Sequence, residues 1–180
     1  MSLVQTVITH HEIGVLHNNQ RYFSPPPPPT APVACHSATI FWLLAKILNA
    51  APTLTDITNR VGISWQPLMG RMVKERGVRI NKPAKGVLWL TPGSVIVFCE
   101  DDDAKHSCIA INQAQVGGYN QVDWFNNGKH HSYSIGAITD LKFGNVLRKN
   151  KVKRFLGGTE YNLFSVSEND AIGFINGVRV

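Results

Sequence analysis

The stretch CHSATIFWLLAKILNA, Cys35 to Ala50, decides the fold. From Ala38 onward it reads as one helix that is apolar almost all round, and an apolar cylinder of three turns belongs in the middle of a domain rather than on its surface. Working outward, Thr53 to Val61 and Trp65 to Arg76 have the pattern of two shorter amphipathic helices, with Gly62 and Gly77 as their stop signals. Beyond Gly77 the period becomes strand-like. Gly86 to Leu90 is a short apolar run, Pro92-Gly93 a turn, Ser94 to Cys99 a strand, and Glu100 to Asp103 an acidic turn. His106 to Ile111 and Tyr119 to Phe125, parted by a break at Gly117-Gly118, read as two antiparallel strands. Ser132 to Ile138, Tyr161 to Val166 and Ala171 to Val180 add further helix or strand pieces. Helices first and a mostly antiparallel sheet second is an α+β arrangement.

Upstream of the central helix the composition is different. The first twenty-odd residues are polar and mixed, with His10, His11 and His17, and lead into Pro25 to Pro29, a stiff polyproline II segment. The expected organisation is therefore an N-terminal arm with a polyproline spacer over residues 1–32 and a single domain over 33–180. A length of 180 residues with 43% hydrophobic content is enough for one core and argues against a disordered chain. No stretch approaches the ~18 consecutive apolar residues of a membrane span, and Met1 to His17 lacks the basic start and apolar run of a secretory signal. Three cysteines in a chain of this length do not read as a disulfide framework. The net charge of +6 is local, because Lys142, Arg148, Lys149, Lys151, Lys153 and Arg154 follow one another with no acid between them. Such a segment suits a nucleic acid or an acidic protein surface; without a nucleic-acid-binding motif, a solvated turn is the default.

A nucleophilic thiol needs help to ionise at neutral pH, and the amides and dipole of a helix N-terminus give it. Cys35 stands at such a position, while Cys99 and Cys108 lie within apolar strands as packing residues would. A thiolate also needs an imidazole, and the imidazole a polar group to orient it. His106, just after the acidic turn, can face the helix start from a sheet edge. On the following strand Gln121 and Asp123 share one face and Asn120 takes the other, with Asp123 the strongest acceptor. Metal spacings are missing: His10-His11 and His130-His131 are adjacent pairs that diverge along a strand, and there is no CxxC or HExxH. Gly117-Gly118 and Gly157-Gly158 lack the lysine of a phosphate loop and read as turn glycines.

The order of these features resembles the papain-like cysteine peptidase and amidase superfamily, above all its compact bacterial peptidase branches and the effector glutamine deamidases. The resemblance spans roughly Ala34 to Phe125: a Cys opening a buried helix, a second helical stretch, a Gly-containing turn into Ser94 to Phe98, a His in the next strand and an acid in the one after. It implies a papain-like fold with Cys35 as nucleophile, His106 as general base and acid, and Asp123 as orienter. Gly118 to Phe125 also looks like the corresponding segment of CHAP-type amidases, where Gln121 competes for the third role and Asn120 is a further alternate. The usual oxyanion donor before the Cys is replaced by the proline run, which leaves Gln20, Asn19 and the Cys35 amide. Also implied are hydrolysis of an amide bond without cofactor or metal, a protein or peptide substrate, and a bacterial effector or toxin delivered without a classical signal peptide into a target cell, or else a cytoplasmic protein. A peptidoglycan amidase or endopeptidase, and a non-catalytic interaction module that keeps the fold, are the alternatives.

Overall fold

The apolar run at Ala38 does fold as the central helix, and it begins at Cys35. The computed structural model describes residues 1–10, 35–81, 90–113, 116–120, 131–133 and 162–180. Within these, the helices are α1 (Leu3–Thr9), α2 (Cys35–Leu48), α3 (Leu54–Val61), α4 (Trp65–Arg76) and α5 (Glu168–Gly177). The strands are β1 (Val78–Arg79), β2 (Val95–Glu100), β3 (Asp103–Ala110), β4 (Val116–Asn120), β5 (His131–Tyr133) and β6 (Asn162–Val166). They form one antiparallel sheet in the order β1-β6-β2-β3-β4-β5, so the chain is α+β. Pro25 to Pro29, the Lys142 to Arg154 segment, Asn19, Gln20, Gln121, Asp123 and Gly157-Gly158 lie outside the described residues.

Every residue of α2 from Cys35 to Ala45 is buried, the apolar run from Ile40 and also the polar His36, Ser37 and Thr39 of its first turns. The helix packs on the sheet face that carries Val95, Val97, Ile109 and Val166, in one core with Met69 and Met72 of α4 and Phe174 of α5. Strand alternation puts Ile96, Phe98, Cys108 and Leu163 on the other face, and they are buried too. Burial on both faces explains why β2 reads as a continuous apolar run rather than an alternating one.

The helix ends follow from local chemistry. Thr53 caps α3 in a capping box: its hydroxyl accepts from the Asp56 amide at 3.1 Å, and the Asp56 carboxylate accepts from the Thr53 amide at 2.8 Å. Gly62 closes that helix at φ 73°, a left-handed value that glycine adopts without strain, and Gly77 closes α4.

Two expectations are corrected. Residues 3–9, placed by composition in a polar arm, form a helix whose Leu3 and Val7 are fully buried in the core. Gly117-Gly118 is not a break between strands; both residues sit inside β4, paired with Ile109 and Cys108. The reason is close approach: a Cβ on Gly117 would lie 2.8 Å from Val7 Cγ1, and one on Gly118 2.8 Å from Cys108 Cβ. We expect Gly118→Val to destabilise the protein by about 1–3 kcal/mol through overpacking, against the usual gain from a β-branched residue in a strand. Urea unfolding at neutral pH measures it, and an unchanged midpoint would mean that β4 does not approach Cys108 this closely.

Candidate active site at the start of the central helix

Cys35 opens α2, where the first amides of a helix have no partner within the helix. Its sulfur lies 3.8 Å from the Lys105 carbonyl oxygen of β3. Burial pushes the thiol up to about 11, although the backbone amides of Ser107, His36 and Cys35 itself favour the thiolate.

The neighbouring His36 is also buried and joins the helix start to β3 through both ring nitrogens. Nε2 is 2.8 Å from the Ala104 carbonyl oxygen, and because a carbonyl only accepts, Nε2 carries the proton. In the neutral ring Nδ1 then accepts from the Ser107 hydroxyl at 2.9 Å. With the single Ser107 hydrogen committed there, the Thr39 hydroxyl, 3.1 Å away, donates to Ser107. Burial pulls His36 down to about 4, partly offset by the bond to Ala104.

A β-bulge sets which side chains meet the helix. Phe98 pairs with His106 but Cys99 pairs with Ala104, so Lys105 is one extra residue in β3. Ser107 consequently faces α2, and alternation places His106 on the opposite face, its ring centroid 5.2 Å from that of Phe98. His106, expected to face the helix start, thus flanks the Cys35 contact through its backbone neighbours Lys105 and Ser107 rather than through its ring. It is 1% exposed, and burial followed by the nearby His36 lowers it to about 3.

Among the expected supporting residues, Asn120 ends β4. The alternates Gln121, Gln20 and Asn19, like Asp123, fall outside the described residues. Cys99 and Cys108 are buried, as strand packing residues are. Burial and then Asp102 and Asp103 push Cys99 up to about 11, and burial with Cys35 nearby raises Cys108 still further. The pair that sequence reasoning passed over is His36 and Ser107. Two polar residues directly inside otherwise apolar segments were the available signal, since buried polar groups come with partners.

Among the described residues no group of three or more His, Cys, Asp or Glu side chains could hold a metal ion, and no helix is long and apolar enough to cross a membrane. Comparisons with protein-family models, curated proteins and solved structures gave no match for this chain.

Proposed function

We propose that the protein is a cysteine-dependent hydrolase of amide bonds with a papain-like arrangement, acting on a protein or peptide as an effector inside a target cell. The observation that carries this reading is the position of Cys35: first residue of a buried helix packed on an antiparallel sheet, sulfur against the β3 backbone on either side of His106, with three backbone amides favouring its thiolate. In this scheme the Cys35 thiolate attacks the carbonyl carbon. His106, having taken the thiol proton, passes it to the departing amine or ammonia, and water then hydrolyses the acyl-enzyme. Asp123 orients the imidazole, with Gln121 and Asn120 as alternates, and the Cys35 amide serves the developing oxyanion with Gln20 or Asn19 as further donors. In the resting state burial holds the thiol protonated and His106 neutral, and the ring lies on the sheet face away from α2, so the scheme requires β3 to shift at the Lys105 bulge until ring and sulfur meet when substrate binds.

One observation favours a second reading, a non-catalytic module. The His36–Ser107–Thr39 cluster is hydrogen-bonded and buried, as a device that only fastens α2 to β3 would be. Alkylation of Cys35 by iodoacetamide, followed by peptide mass spectrometry from pH 5 to 10, separates the two. The hydrolase reading expects a rate plateau that begins well below the ordinary thiol value of about 8.5 and vanishes in His106→Ala. A thiol that stays protected beyond pH 9 and ignores His106 sinks it and leaves the fastening role.

A further inference from the structure

Between α4 and the β2–β3 turn the molecule has a cavity of about 660 Å³, lined in part by Ala104, whose carbonyl holds His36. The volume falls within the ~300–1,000 Å³ of small-ligand sites. Its two walls carry opposite charge. Arg71 and Lys74 project from α4, and Asp101, Asp102 and Asp103 line the turn, above a less polar floor that includes Cys99 and Phe164.

Opposite charges on neighbouring elements ordinarily close into ion pairs, yet among the described residues neither Arg71 nor Lys74 is ion-paired to any of the three aspartates. Two of the cations on this side are engaged elsewhere: the Arg71 guanidinium lies over the Phe174 ring at 5.8 Å, and Arg76 pairs with Asp170 at 3.6 Å. Lys105 takes Asp103 at 3.2 Å from the other flank. The walls come close at Gly70, where a Cβ would stand 3.3 Å from the Asp102 carbonyl oxygen. Helix and turn are therefore in contact there, while their charged side chains border open space.

We propose that this cavity binds a short zwitterionic peptide segment. Its cationic group sits against Asp101 and Asp102, and its carboxylate against Lys74. Each wall supplies the charge that the other end of the ligand lacks, which fixes the ligand's direction as well as its presence. A purely cationic ligand would meet repulsion from α4, and a purely anionic one repulsion from the turn. The proposal holds whether Cys35 is catalytic or only fastens α2 to β3.

The test uses the full chain and the tripeptide Lys-Ala-Glu blocked at both ends, with blocked Gln-Ala-Gln as the uncharged control, in an amide chemical-shift titration at low salt. The expected result is saturable movement of the Lys74 and Asp101 to Asp103 amides with the charged peptide alone. Lys74→Glu and Asp102→Lys, both at exposed positions, should each weaken it about tenfold. No saturable movement, equal movement with the control, or affinity unchanged in both variants would overturn the proposal. Because neither variant touches Cys35, His36 or His106, the alkylation profile above stays the same in both and keeps the two questions apart.

Discussion

Brought from pH 7 to pH 4, the protein is expected to lose several kcal/mol of stability, with buried histidines as the cause. His36 and His106 are held neutral in the fold at about 4 and about 3, against 6.5 for the ordinary side chain. Below pH 6.5 the unfolded chain takes up protons that the folded chain refuses. Stability is therefore fully present above 6.5 and declines as pH falls toward the folded values. Each group contributes a slope of up to about 1.4 kcal/mol per pH unit over its own interval, and marginal stabilities of roughly 5–15 kcal/mol make that loss visible. Half-buried His10 is lowered as well and adds in the same direction. Urea midpoints measured between pH 7 and 4 report the slope. His36→Leu should be less stable at pH 7 by about 1–3 kcal/mol, because the Ser107 hydroxyl and the Ala104 carbonyl lose their partner. It should also depend less on pH, so that the two curves converge in acid. An unchanged slope in this variant would show that His36 is not the neutral, buried group described here.

Leu3→Ala should cost about 2–5 kcal/mol, the range of a fully buried leucine whose site collapses only in part, although it lies three residues from the start of a stretch with a polar composition. Three contacts tie α1 and its ends to the core. The Leu3 amide donates to Glu168 Oε1 at 3.0 Å, the Trp42 indole N–H donates to the His10 carbonyl at 3.1 Å, and Val7 fills the space that Gly117 leaves by lacking a Cβ. Deleting Met1 to His10 should accordingly abolish cooperative thermal unfolding, whereas a dispensable arm could be removed with the transition intact. Calorimetry of the two variants decides. A deletion that melts like the full chain would mean that α1 does not belong to the cooperative unit.

Where backbone chemistry is local, the sequence was legible. The capping box at Thr53 and Asp56, the closing glycines at 62 and 77, and the apolar run of β2 each specify their element within a few residues. Three features depend on contacts between distant segments and could not be read in that way. Gly117 and Gly118 look like turn residues until Val7 and Cys108 are seen against them. Leu3 and Val7 make a stripe of one short helix, too little periodicity to stand out from a polar surround. The face taken by His106 follows from one inserted residue at Lys105, and strict alternation cannot foresee a bulge. For the site, the position of Cys35 at a helix start was legible from the change in composition after Pro32. The role of His36 was not, because both its partners come from about 70 residues further on.

The strand order also has a consequence for how the molecule is made. β6 follows the other described strands in sequence, yet it lies inside the sheet, hydrogen-bonded to β1 on one side and β2 on the other. Until residue 166 has left the ribosome, β2 presents a bare edge where β6 will go, and the contact between Leu3 and Glu168 spans 165 positions. Contacts of such long range are slow to form, and an unfilled edge is where nascent chains pair with the wrong partner. The protein is thus assembled around a gap that its late-synthesised residues fill, and a chain truncated before Asn162 would lack a strand from inside its sheet rather than from its rim.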